Sequence, residues 1–481
     1  MQVDTHNYRL LTDAQLDEIH LASLEILRRT GVRVYDAEAL ALLQDAGCVV
    51  SDNTLVRLPA AVVEDALRAA PPRVVLCDRT GEPRVFLEGR RTYFGTGSDL
   101  PNTLDLETGE RRTSLLSDVA AAARLVDSLP NLDFAMSMAL PSDVPPQTAD
   151  RHSFLAMIEN TVKPVVITAW DERGLADIVR MAEVVAGGAD ELRLSPFLFA
   201  YLEPSSPLRH SDTAVRKMLL MADRGLPFVY APGPIEGASA PVTSAASLAM
   251  ANAEVLSGLA IAQLRRRGTP FVWGSGSGPL DMKTVVGTYA SPEFMLHCMT
   301  MAELAHDYYH LPVWSFAGCS DSKLPDIQAG IESALWIVWT ALSGANLVHD
   351  VGYIESGLTC SLEMIVLGDE IISFVRRLMA GMAITPETLA LDVIHEVGPG
   401  GNYFRVPHTT RNYRKVWYPH LLDRRSYQGW LDVGRPTAFD NARQFARQAV
   451  VTHQPAPLPD GVSETLHAIV AEAEERLDDR Q

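Results

Sequence analysis

Apolar positions along the chain follow two periods in turn. From Thr12 to Gly31 they recur at helical spacing, with Thr12 as N-cap and Gly31 as stop. Two further segments, DAEALALLQDAG and PAAVVEDALRAAP, extend this into a helical N-terminal region over residues 1–90. After it, short apolar runs with strand character alternate with amphipathic helical stretches. The runs are RTYFGTGSD (91–99), DFAMSMALP (133–141), KPVVITAW (163–170), PFLFAYLEP (196–204), PFVYAPGP (227–234), PFVWGSGSG (270–278), LPVWSFAGC (311–319) and NLVHDVGY (346–353). Strands alternating with helices imply parallel pairing through right-handed crossovers, and eight repeats predict closure as an α/β (β/α)8 TIM barrel over residues 91–384. The N-terminal region is expected to pack on this barrel. A doubly wound open sheet is the alternative, but no GxGxxG follows the first strand. Beyond residue 385 the rhythm is lost. Residues 385–481 read as a loop-rich C-terminal extension whose last helix, SETLHAIVAEAEERL, is charged and peripheral.

In such a barrel the chemistry sits at the C-terminal ends of the strands. Those ends carry Thr96, Gly97, Ser98 and Asp99; Ser137; Trp170; Tyr201 and Glu203; Tyr230; Trp273 with Gly274 to Gly278; Cys319, Ser320 and Asp321; and His349, Asp350 and Tyr353. The small and polar stretch FAGCSDSKLPDIQAGIE, which stops one strand before a helix opens near Asp326, is one of eight similar endings and reads as a binding loop.

Composition narrows the partners. With 47% hydrophobic and 21% charged residues the chain can bury a large core, and a formal charge of −19 without a basic stretch argues against nucleic acid or an anionic membrane. Five scattered cysteines without a CxxC suit a reducing compartment, and the start MQVDTHNYRLL lacks a signal-peptide pattern. The apolar run from Ala334 is broken by Ser343, Gly344 and Asn346, too short to span a bilayer. A cytoplasmic location is expected.

His306 and His310 have the spacing of a zinc pair, but their helix leads into the strand at Leu311, which places its end on the opposite face of the barrel; a C-terminal cap is the better reading, and no metal is expected. GSGSG (274–278) lacks the lysine and spacing of a P-loop, and no GxSxG elbow is present. The strand ends do share aromatic residues, Tyr201, Tyr230, Trp273, Trp314 and Tyr353, near acidic or small ones. Several rings around one site hold a methylated ammonium group by cation–π attraction; the alternative is that they fill the barrel.

The runs YFGTGSDLPNTLDLETGERR (93–112), APVTSAASLAMANAEVLSGLAIAQL (240–264), GCSDSKLPDIQAGIESA (318–334) and GPGGNYFRVPHTTRNYR (398–414) together resemble the trimethylamine methyltransferase family of corrinoid-dependent enzymes. The resemblance implies a barrel that moves a methyl group from a tertiary or quaternary amine to cobalt(I) of a cobalamin (corrinoid) carried by a separate small protein. The founding members use pyrrolysine. This chain, written in the twenty standard residues, resembles the non-pyrrolysine branch, whose members act on quaternary amines such as glycine betaine, proline betaine or carnitine. HDVGY (349–353) and GPGGNYF (398–404) look most like the glycine betaine enzymes.

On this resemblance no residue of the chain need be a covalent catalyst, because cobalt(I) is the nucleophile and a quaternary ammonium leaves as a neutral amine. The substrate contacts expected are His349 and the backbone amides of Gly400 and Gly401 for a carboxylate, and Asn402, Tyr403 and His408 closing the top. Tyr201, Tyr230, Trp273 and Tyr353 would surround the cation, with Glu203 and Asp321 balancing its charge. Gly97, Ser98, Gly276, Cys319 and Ser320 would face the corrinoid. A homo-oligomer is expected. A non-catalytic quaternary-ammonium sensor and an unrelated barrel lyase are the competing classes.

Overall fold

The computed structural model describes residues 8–478. Seven of the predicted runs form one parallel sheet, in the order Tyr93–Phe94, Leu347–His349, Val313–Phe316, Phe271–Gly274, Phe228–Tyr230, Leu198–Leu202, Val165–Ile167. Register is continuous, with Phe316 opposite His349 and Leu202 opposite Tyr230. The expected eight-stranded closed ladder is not formed. Between the two edge strands the run at 133–136 makes one isolated bridge to each side, Gly95 to Phe134 and Ala135 to Val165. The reason is local: its neighbour, the first strand, is only two residues long, and Met138 at φ +57° turns the chain away after Ser137.

The helices following the strands begin on side chains that accept the amide of the third helical residue: Asp171, Ser211, Ser291, Asp326 and Ser361. Their apolar faces and the sheet share one core, in which Phe134, Phe199 and Trp314 fill the centre. The Ser244–Arg265 helix is long and apolar enough to cross a membrane, yet it is buried inside the protein, packed against other helices and strands.

The N-terminal region is mixed, not helical throughout. Helices Asp13–Glu25, Ala37–Asp45 and Ala60–Ala69 are joined by three-residue strands, Val32–Val34, Val49–Ser51 and Leu55–Arg57, too short to register as periods. Val32–Val34 pairs in parallel with Arg209–His210, far along the chain. A buried polar network adds a second tie: the His20 ring bonds Tyr309 Oη and Glu64 Oε1, each at 3.0 Å, while Asn252 donates to Ser23 Oγ and Tyr309 Oη.

The last helix, Val462–Asp478, is not merely peripheral. Leu466, Ile469, Val470 and Ala473 are buried, and it packs on Glu172–Ala186 and Ala149–Asn160. The helix Ala438–Thr452 lies against Leu362–Met379 and Leu116–Ser128.

Glu254, fully buried in the Ser244–Arg265 helix, accepts hydrogen bonds from Ser206 Oγ and the Leu208 amide. Burial nevertheless pushes its pKa up to about 7. The folded protein therefore holds a proton there that the unfolded chain releases, and the stabilisation present below pH 4.5 is lost as pH rises to 7, on the order of 3 kcal/mol for this group. Glu254→Gln should flatten that dependence: thermal unfolding at about pH 5 and about pH 7.5, either side of the titration, would show a larger drop in Tm for the parent than for the variant.

Candidate active site

Alternation along the strands decides which aromatic residues reach the strand ends. Trp314 and Phe316 face inward, with Tyr201 and His349 from neighbouring strands. Trp273 faces the helical layer instead, its ring 4.7 Å from Tyr309. Tyr230 does the same: its hydroxyl bonds His210 Nδ1 at 2.9 Å, and its ring lies where a side chain at Gly258 would stand. Both were expected at the cation, and both serve packing, because in a strand adjacent residues point to opposite faces.

The centre of the site is the pair His349 and Asp350, 6% and 1% exposed. The His349 ring is wedged between Trp314 and Phe316, each 4.4 Å away, with Tyr201 at 5.7 Å. His349 Nδ1 stands 2.7 Å from Asp350 Oδ1, but the two are not oriented for a hydrogen bond. Both ring nitrogens of His349 and both oxygens of Asp350 thus lack a hydrogen-bond partner. Such atoms are rare in native interiors and mark a place that a water or a ligand can satisfy. Asp350 also holds φ +79°, a strained conformation for a residue with a side chain. Gly97 makes room for it: a Cβ there would overlap the Asp350 carboxyl and the Tyr353 ring. Tyr353 donates to the Ser98 carbonyl at 2.6 Å and so closes the strand-end loop from the other side.

Two more carboxyls open onto this space. Tyr201 Oη donates to Glu203 Oε1 at 3.0 Å. Solvent reaches Glu203 from the mouth while protein surrounds it elsewhere, and this enclosure raises its pKa; the Tyr201 hydrogen bond and the nearby His349 and Lys217 oppose the rise. Asp99 accepts from Thr168 Oγ1 at 2.6 Å, and its pKa is also raised, by enclosure against the hydroxyls of Thr168, Ser98 and Ser137. Asp99, Ser137, Thr168 and the exposed Trp170 border a recess of about 140 Å3.

Asp321 has a different task from the one expected. Its two oxygens accept the Tyr289 and Ala290 amides, at 2.9 and 3.2 Å, which fixes the loop carrying Tyr289. Tyr289, from beyond the Leu280–Gly287 hairpin, presents a ring enclosed near Glu203 and Asp350, and that burial drives its pKa well up. No periodicity marks it; its only signal is its place just before the N-cap Ser291. Lys217 was also missed, being a lysine among apolar helix positions. Its Nζ donates to Ala169 O at 2.6 Å, and burial lowers its pKa against the pull of Asp150, Glu203 and Asp99.

The residues expected to face a corrinoid are mostly inside. Cys319 and Ser320 are buried, the latter donating to Glu332 Oε2 at 2.6 Å. A Cβ at Gly276 would meet the Phe316 and Phe294 rings, so that glycine serves close packing. Gly97 serves Asp350 as described, and Ser98 alone is half-exposed. Gly400, Gly401, Asn402 and Tyr403 are exposed and His408 half-exposed; their contacts are local, Gly401 against Val397 and the Tyr403 carbonyl with Thr409 Oγ1. None of these contacts involves His349. His306 and His310 do not converge: His306 Nε2 bonds the Gly344 carbonyl and His310 Nδ1 the His306 carbonyl, both at 2.9 Å. Among the described residues no group of three or more His, Cys, Asp or Glu side chains is placed to hold a metal ion.

Similarity to known proteins extends over the whole chain. The trimethylamine methyltransferase MttB of Desulfitobacterium hafniense is 33% identical over 465 residues, covering 96% of this chain and 94% of that protein. A glycine betaine methyltransferase from another strain of that species is 30% identical over 468 residues, covering 97% of each. In fold, the crystal structure of the Methanosarcina barkeri monomethylamine methyltransferase (MtmB) matches with a TM-score of 0.52 at 13% identity, over 97% of this chain and 89% of that one. The sequence profile of the trimethylamine methyltransferase (MTTB) family matches residues 1–477, and the chain belongs to that family.

Proposed function

We propose that the protein transfers a methyl group from a quaternary amine, glycine betaine in the first instance, to cob(I)alamin carried by a separate corrinoid protein. The observation that carries this reading is Asp350: a buried carboxyl without a hydrogen-bond donor in the protein, near Tyr201 and Tyr289 and next to His349, whose ring Trp314 and Phe316 enclose. A methylated ammonium has no N–H to donate, so it suits an acid and aromatic faces and leaves no donor unpaired. Glu203 and Asp99 add negative potential at the mouth.

A betaine also carries a carboxylate. The unpartnered Nε2 of His349, across the ring from Asp350, and Lys217, close enough to influence Glu203, offer donors for it. Trimethylamine has no group for them, which favours the betaine. The corrinoid, when its carrier is docked, would supply the nucleophile for the reacting methyl. What the chain contributes is to desolvate the cation, aim one methyl outward and keep water away. The loops after the strands carry an exposed apolar rim, Leu140, Trp170, Val242, Met282, Val285 and Leu358, suited to docking the corrinoid protein.

Purified protein mixed with cob(I)alamin and glycine betaine should convert its absorption spectrum to that of methylcob(III)alamin. Carnitine, proline betaine and trimethylamine form the comparison panel. Turnover with trimethylamine alone would replace the betaine reading, and saturable binding with no methylation, even with a corrinoid protein present, would favour a sensor. His349→Ala should raise KM for a betaine while leaving a methylamine without a carboxylate little affected. Asp350→Asn should weaken binding of any quaternary amine by roughly 10- to 100-fold, about 1.4 to 3 kcal/mol.

The raised pKa of Glu203 gives a sign to the pH dependence. At low pH the carboxyl is neutral and attracts the cation less, so binding tightens as pH rises through its titration. Calorimetric titration of glycine betaine across acidic to neutral pH should show this rise in the parent and a smaller one in Glu203→Gln.

A further inference from the structure

Most glycines at the strand ends have no room for a side chain. A Cβ at Gly97 would run into Asp350 and Tyr353, at Gly274 into Trp314, and at Gly276 into Phe316. Gly233, in the loop after the strand Phe228–Tyr230, is different. Its backbone lies outside the left-handed region, so a residue with a side chain is free to adopt it. A Cβ there would meet Glu203 Oε1 at 3.5 Å and the Gly276 carbonyl at 3.8 Å, both ordinary contacts, and nothing closer.

The position is also held in place. Gly233 is exposed between Pro232 and Pro234, which are both buried. The Pro232 carbonyl accepts the Gly276 amide at 3.1 Å and Ser275 Oγ at 3.0 Å, and the Ala231 amide donates to the Leu202 carbonyl at 2.9 Å. Two prolines and these bonds fix the main chain, so the glycine is not there to let the loop flex. At such a place glycine weakens the fold relative to alanine, because the unfolded chain has more conformations to lose. Neither backbone nor packing accounts for it, and what remains is the space it keeps open.

That space adjoins the candidate site. The Cβ direction at 233 points toward the Glu203 carboxylate, which accepts Tyr201 Oη at 3.0 Å, and the Tyr201 ring lies 5.7 Å from that of His349. A side chain longer than a methyl would reach across the carboxylate, narrow the mouth beside it and cover the charge that attracts a cation. The inner side of the site has no comparable freedom: Gly97 is in contact with Asp350 and Tyr353, and Trp314 and Phe316 hold the His349 ring at 4.4 Å each. Room for bulk lies on the Glu203 side.

We infer that Gly233 is a specificity-determining position. The side chain it lacks leaves room beside Glu203 for a substituent larger than methyl on the ammonium nitrogen, so that the site takes quaternary amines with a ring or branch there as well as a plain trimethylammonium group. This rests on the reading of the site as one for a quaternary amine, and adds which residue sets the size of that amine. One or two carbon atoms against a pocket wall change discrimination by about 10-fold or more.

Calorimetric titration of the full chain with glycine betaine and with proline betaine, whose nitrogen lies in a ring, tests this without a corrinoid protein. The parent should bind both. Gly233→Val should weaken proline betaine by at least about 10-fold more than glycine betaine, and Gly233→Ala should fall between parent and valine variant in that ratio. The Tm of Gly233→Ala should equal or exceed the parent's, which a glycine kept for folding would not allow. Equal weakening of both ligands by valine, an alanine variant that melts below the parent, or a parent that binds glycine betaine but not proline betaine would overturn the inference and leave the quaternary-amine reading standing. A parent that binds neither ligand would overturn that reading, and the inference with it.

Discussion

A carboxyl carried into the interior without a donor is the constraint around which the strand ends are organised. Asp350 occupies that position with a backbone conformation that costs on the order of 1 kcal/mol or more, and its neighbours are shaped to keep it there. Gly97 gives up its side chain, Tyr353 ties the facing loop through the Ser98 carbonyl, and the His349 ring is fixed by Trp314 and Phe316. His349 Nδ1 stands 2.7 Å from the carboxyl without the geometry of a hydrogen bond, and the other neighbours offer it no donor. The arrangement stores an unmet electrostatic demand that a cation entering from the mouth would meet.

The site is assembled in layers. The inner layer is aromatic and rigid, with Trp314 stacked on Phe199 at 5.8 Å. Above it, Glu203 and Asp99 stand where solvent and protein both reach, so their charge can respond to the medium. Asp321 belongs to neither layer. By holding the Tyr289 and Ala290 amides it sets the loop that carries the Tyr289 ring.

The repeating strand and helix pattern was legible because seven of the runs are strongly apolar and end in small residues. The strand positions predicted from 163–170 to 346–353 all contain observed strands. The run at 133–141 has the same composition, but its pairing depends on neighbours that sequence does not show. Position along the strand sufficed to bring Tyr201, Glu203, His349 and Tyr353 to one end of the sheet. It did not suffice for Tyr230 and Trp273, whose rings pack toward the helices, since naming a strand end does not say which face a ring takes. It failed also for Tyr289 and Lys217, which come from a long loop and a helix. For Gly400 to His408 the family resemblance carried the expectation, and the fold leaves those residues on an exposed arm.

The parallel pairing of Val32–Val34 with Arg209–His210 bears on how the protein is made. The N-terminal helices and the hairpin Leu55–Arg57 emerge early from the ribosome, but the strand that completes their sheet is synthesised well over a hundred residues later. At typical translation rates that is roughly 10 s or more. During that interval the first region waits with an open sheet edge, and the polar tie from His20 waits longer still for Tyr309. Folding of this chain is therefore closed late and from both ends, and a nascent chain stalled before residue 210 would expose an unpaired strand to any neighbour that could extend it.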